Sequence, residues 1–188
     1  NILWINEGLD AEGNISFSDQ TEAFGLEHNG NSMGAVFFDY NKDGFLDLYV
    51  INNEQSESIP MNYRNKVVDG TAPSNDALFK NNGDGSFSDV TKEAGILVEG
   101  FGLGIVISDV NHDTWPDIVV ANDYISNDLV YINQQDGTFR TAAREVFKHQ
   151  SMFSMGVDAA DINNDGYDDI IFLDMLGETN YRKKTTIT

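Results

Sequence analysis

The sequence predicts an all-β fold: a β-propeller of four-stranded antiparallel blades with calcium-binding loops, of which this chain forms part of the ring. Three observations carry that prediction. A nine-residue acidic loop is written three times between apolar runs, as DYNKDGFLD from Asp39, DVNHDTWPD from Asp109 and DINNDGYDD from Asp161. The second and third copies superimpose without a gap at an offset of 52 residues, together with the segments before them: ALFKNNGDGSF from Ala77 matches LVYINQQDGTF from Leu129. The apolar runs are short, rich in β-branched and aromatic residues, and bounded by Asp-Gly turns, which suits strands and not helices.

Taken in chain order, a strand through Asn6 and another from Phe17 form a hairpin, with Asn6 and Phe17 in the parts that Asn81 and Phe87 play later. AVFF from Ala35 leads into the first acidic loop and LDLYVIN from Leu46 leaves it. A strand ending in the Gly/Asp-rich turn NNGDG and one beginning at Phe87 complete the unit. The order then repeats as GIVIS, PDIVVAN, LVYIN and a strand from Phe139, and begins again with VDAA and DDIIFLD. TKEAG from Thr91 and AAREVFKH from Ala142 suit single helical turns. Four short antiparallel strands repeated about every 50 residues describe a propeller blade.

The chain thus opens at the third strand of one blade and closes after the second strand of another, twelve strands in all. The units run 1–53 (a partial blade and the start of the next), 54–74 (an insertion), 75–127, and 128–188 (a repeat and the start of the next). A propeller closes with about four to eight blades, so the expectation is a piece of a longer chain that associates or aggregates when expressed by itself.

The loop chemistry points to a metal. Asp39, Asn41, Asp43 and Asp47 place oxygen at loop positions 1, 3, 5 and 9, as do Asp109, Asn111, Asp113 and Asp117, and Asp161, Asn163, Asp165 and Asp169. Like charges held this close repel unless a cation sits among them. Phe45, Trp115 and Tyr167 at position 7 would offer backbone carbonyls and leave their rings free to pack. With no Cys in the chain and no His at a ligand position, hard oxygen donors select Ca²⁺ over zinc or copper, at about three sites. An EF-hand needs a bidentate Glu at position 12 within a helix, whereas position 12 here is Val50, Val120 or Phe172. Thr114 replaces the glycine found as Gly44 and Gly166. A β-branched residue resists positive φ, so this loop should bind more weakly or use adjusted backbone angles.

These features resemble the FG-GAP and VCBS repeats of the integrin-α-type β-propeller, most closely the bacterial ASPIC/UnbV-associated proteins. Phe24-Gly25, Phe101-Gly102 and the altered Phe153-Ser154 stand in the place of the family's Phe-Gly, and Gly34-Ala35, Gly104-Ile105 and Gly156-Val157 begin the strands that enter the acidic loops. The resemblance implies seven or eight blades, calcium in several of them, and a surface or secreted location. It implies no particular reaction.

A net charge of −20, from 31 acidic and 11 basic residues, disfavours nucleic acid and an anionic membrane surface, both of which need clustered Lys and Arg. Only Arg182, Lys183 and Lys184 form such a run. Weak calcium loops fill where Ca²⁺ is abundant, which places the chain at the cell surface, outside the cell or in the periplasm. His28, His112 and His149 form no ligand pair or nucleophile arrangement, and His112 reads as an exposed polar residue. Trp4, Phe79 and Tyr131 share one repeat position and read as core; Asp123, Asp128 and Asp174 at strand ends read as structural. The 54–74 insertion, with Met61, Tyr63 and Arg64, is the candidate recognition loop. The leading expectation is a non-enzymatic scaffold for a protein or glycan ligand. The alternatives are a polysaccharide-degrading propeller with catalytic residues in further blades, and an accessory subunit of an envelope or nutrient-import complex.

Overall fold

The structure is a computed structural model that describes residues 1–54, 64–123 and 126–175. It is all-β. Strands β1 (Trp4–Leu9) and β2 (Ile15–Asp19) pair as a hairpin. β3 (Ser32–Phe38), β4 (Asp47–Asn52), β5 (Ala77–Asn81) and β6 (Phe87–Asp89) form one four-stranded antiparallel sheet. β7 (Gly102–Ser108), β8 (Asp117–Asn122), β9 (Leu129–Asn133) and β10 (Phe139–Thr141) form the next, followed by one helical turn, α1 (Ala143–Val146). β11 (Ser154–Ala160) and β12 (Asp169–Asp174) pair as the start of another. Each strand lies beside its neighbour in the chain, the meander of a propeller blade.

Equivalent registers recur. Asn6 faces Phe17, Asn81 faces Phe87 and Asn133 faces Phe139, the correspondence expected from the repeat. The register of the first strand pair shifts by one residue between Ser32 and Gly34, between Gly102 and Gly104, and between Ser154 and Gly156. Ser32, Gly102 and Ser154 are therefore equivalent, so Asn31-Ser32, and not Phe24-Gly25, stands opposite Phe101-Gly102. Phe24-Gly25 belongs to the turn TEAFG, whose hydrogen bonds repeat in TKEAG: Leu26 N–H donates to Thr21 O as Ile96 N–H donates to Thr91 O. The Phe-Gly spelling misleads because a turn and a strand entry both carry it.

The core lies between sheets. All six residues of β4 and of β8 are buried, because central strands are covered on both faces. With side chains alternating between faces, Leu48, Val50 and Phe79 pack with Leu3, Phe24 and Leu26. Tyr49, Ile51 and Leu78 pack forward against Ile118, Val120 and Tyr131 of the next sheet. Val119, Val130 and Ile132 meet Val157, Ile170 and Phe172 of the sheet after that. Each buried aliphatic side chain contributes about 1.5–3 kcal/mol, and a one-residue slip would turn every one of them to the wrong face. The inner strands touch backbone to backbone: a Cβ at Gly104 would fall 2.7 Å from Gly156 Cα.

Phe79 and Tyr131 are core, as expected, but their equivalent Trp4 is 56% exposed. It occupies the face turned away from β3–β6, where no sheet covers it among the described residues. Ile170 and Phe172 face inward, while Ile171 and Leu173, equivalent to buried Tyr49 and Ile51, are exposed. Strand alternation decides which pair is covered.

Candidate metal centre and opposite rim

Each acidic loop is the turn from the first to the second strand of its sheet, so all three lie on one rim. The first loop is knit by its own oxygens. Asp39 Oδ1 and Asn41 Oδ1 both accept the Asp43 N–H at 3.1 Å, Asp39 Oδ2 accepts Gly44 N–H at 2.9 Å, and Asp43 Oδ1 accepts Phe45 N–H at 3.0 Å. Asp109, Asn111 and Asp113 repeat the same four bonds at 2.7–3.0 Å to the N–H groups of Asp113, Thr114 and Trp115. Asp161, Asn163 and Asp165 repeat them again at 2.8–3.1 Å. Short polar side chains at alternate positions bond to amides two, four or five residues on, which is what coils the chain here.

The ninth residue is placed differently. Asp47 is buried, its Oδ2 accepting Tyr40 N–H at 3.2 Å and its Oδ1 accepting Asn81 N–H at 2.8 Å from the neighbouring strand. Asp117 accepts Val110 N–H at 2.9 Å and Asn133 N–H at 2.8 Å. Asp169 accepts Ile162 N–H at 3.3 Å. These carboxylates tie the loop to its sheet. The recurrence of Asn6, Asn81 and Asn133 was the sequence signal for that tie, although its spacing alone says nothing about the partner.

The ninth carboxylates of the first two loops are electrostatically uncomfortable. Burial pushes the Asp47 carboxyl up to about 6, and the charges of Asp43 and Asp39 push the same way against the two backbone hydrogen bonds. Asp117 is raised by burial, with Asp113 adding to it. Among the described residues, no three acidic or histidine side chains stand in a ready-made metal cluster. Positions 1, 3 and 5 converge on the loop amides while position 9 is turned to backbone. The donor set nonetheless fits a hard divalent cation: it consists of carboxylate and amide oxygens, each able to accept at more than one lone pair, with repelling charges beside them. The backbone carbonyls of Phe45, Trp115 and Tyr167 belong to the same turns.

Thr114 adopts φ 73°, close to the 89° of Gly44 and Gly166. The loop is not re-angled; the side chain accepts a conformation that is costly for it. The position 7 rings do pack, Phe45 over Gly83, Trp115 beneath Lys42 and Tyr167 against His112. His112 is exposed, as read, and its ring engages Tyr167 across a sheet boundary.

On the opposite rim one buried acid is paired within the chain. Glu99, fully buried, takes a bidentate ion pair from Arg64 at 2.6 and 2.8 Å and the Val67 N–H at 2.5 Å. Burial raises its carboxyl, but the Arg64 hydrogen bonds, the Val67 N–H and the charges of Arg64 and Lys66 outweigh that and hold it below the usual range. Lys66 Nζ reaches Ser126 Oγ at 2.9 Å. Residues 64–67 of the insertion thus strap the two complete sheets together. Met61 and Tyr63, offered as recognition residues, lie outside the described residues. Asp76 accepts Asn52 N–H at 3.0 Å and Tyr49 Oη–H at 2.8 Å, and Asp128 accepts Asn122 N–H at 2.9 Å, the structural role expected of Asp128. A groove of about 560 Å³ runs along this rim between His28–Gly30, Gly70–Pro73 and Thr91–Glu93.

Fold and loops together define a class: a partial β-propeller with an Asp-rich loop between the first two strands of each blade. The comparison with family models places it further. Residues 67–120 and 109–172 match the FG-GAP-like repeat, more than half of the chain, and the chain belongs to that family. No match to the chain is found among curated proteins.

Proposed function

We propose that the chain is a calcium-stapled section of an extracytoplasmic propeller scaffold that presents its rim loops to a protein or glycan ligand. The observation that carries this reading is the threefold repetition of one hydrogen-bond network, with Asp47 and Asp117 each pushed up by burial and by a neighbouring loop carboxylate. Asp39, Asn41 and Asp43, with the Phe45 carbonyl and Asp47, would hold the ion in the first loop. Asp109, Asn111, Asp113, the Trp115 carbonyl and Asp117 would do so in the second, and Asp161, Asn163, Asp165, the Tyr167 carbonyl and Asp169 in the third. Bound calcium supplies the positive charge that these loops lack. The groove along the opposite rim offers a place for the ligand.

Thermal melts in calcium and in chelator test the reading. A ligand at ten times its dissociation constant stabilises by about 1.4 kcal/mol per site, so three sites give about 4 kcal/mol, or roughly 10 °C for a chain of this size. Coincident melts would refute it.

A further inference from the structure

Successive acidic loops are joined side chain to ring. Lys42, fourth in the first loop, donates from Nζ to Thr114 Oγ1 at 3.1 Å and sits 4.7 Å from the Trp115 ring centroid. Thr114 and Trp115 are the sixth and seventh residues of the second loop. His112, fourth in the second loop, lies with its ring centroid 4.3 Å from that of Tyr167, the seventh residue of the third. Lys42, His112 and the matching Asn164 all have positive φ, at 56°, 62° and 60°. That conformation throws the fourth side chain outward from between two candidate ligands, the third and fifth residues.

We propose that Lys42 and His112 are positioning residues for the ion site of the following blade, so that occupying one loop raises the affinity of the next. This rests on the calcium reading above. The third and fifth residues become fixed when a loop is occupied, which fixes the fourth between them. The fourth residue then holds the ring of the next loop's seventh residue, whose carbonyl is a proposed ligand. The same contact gives Thr114 a purpose: its hydroxyl accepts Lys42, which a glycine could not do, and this offsets part of its backbone cost.

A pure charge effect predicts the opposite sign, and that makes the idea testable. A lysine beside a cation site repels the cation, so removing it should tighten binding, whereas removing a positioning residue should weaken it. Calcium titrations followed by Trp115 fluorescence and by calorimetry would be run on the wild type, Asp39→Ala (first loop disabled), Lys42→Ala, the double variant and Lys42→Arg. A cation–π contact at an exposed site is worth about 0.5–1 kcal/mol, so Lys42→Ala should weaken the second site about threefold. Asp39→Ala should weaken it by a similar factor in the wild type but not in the Lys42→Ala background. Lys42→Arg should restore both. Lys80→Ala, which removes a charge 3.9 Å from Asp43 but leaves Lys42 over the Trp115 ring, should not weaken the second site. Tighter binding in Lys42→Ala, or a second site indifferent to Asp39→Ala, overturns the coupling while leaving calcium binding in place. No calcium response in any variant overturns both.

Discussion

Two fully buried acids, Glu99 on the strap rim and Asp47 on the loop rim, handle negative charge in opposite ways. On the strap rim Glu99 meets Arg64 at 2.6 Å and lies near Lys66, so the chain supplies its own cations. On the loop rim Asp47 lies fully buried near Asp39 and Asp43, and Lys80, 3.9 Å from Asp43, stands at the exposed edge. Glu99 has its counter-charge within the polypeptide, whereas Asp47 has like charges beside it that the proposed calcium would neutralise. A dependence on calcium should therefore divide the molecule.

The sharpest way to break that division is Asp117→Ala. It leaves the Val110 and Asn133 N–H groups without their acceptor, at about 1–3 kcal/mol each, so a loss of about 4 kcal/mol in denaturant melts is expected. The calcium increment of the second loop should vanish with it; an undiminished increment would show that Asp117 is no ligand. Next comes Arg64→Ala, which strands a buried carboxylate at a cost of about 3 kcal/mol. Its penalty should be equal in calcium and in chelator, and a penalty that calcium removes would erase the distinction between the rims. Smaller is Thr114→Gly, expected to stabilise the calcium-free chain by about 1 kcal/mol through relief of positive φ. A loss of stability there would mean that the Lys42 contact outweighs the strain.

A test read in pH and not in calcium concerns Asp76. Burial pushes its carboxyl up to about 7, against the lowering influence of the Asn52 N–H, the Tyr49 hydroxyl and Lys66. A folded value raised above the unfolded one of about 3.8 means that its stabilising contribution is complete below about pH 4 and is lost as pH rises through about 7. Asp76→Asn should flatten the stability profile across that window and leave the calcium increment unchanged. An unaltered slope between pH 4 and 7 would assign the titration to another group.

Much of this was legible in the residues. The acidic loops, the twelve strands and the Asn81–Phe87 register could be read because each is set by local turn chemistry or by period-two patterning. The Phe24-Gly25 assignment failed because a turn and a strand entry share a spelling, and hydrogen bonding, not composition, separates them. Asp47 and Asp117 were legible as loop acids but not as ties, since Asn81 lies 34 residues from Asp47. The strap was read as an insertion free to bind, because nothing local to Arg64 reveals a glutamate 35 residues away.

By itself the sequence determined which segments become strands, where the loops turn and which oxygens gather in them, for these follow from neighbours a few positions apart. Only the tertiary structure decided which face of each strand is covered, why Trp4 is bare while Tyr131 is core, and that Lys42 reaches Trp115 across 72 residues of chain to Thr114. The physical reason is that a blade is specified locally, whereas its contacts belong to the blade packed next to it.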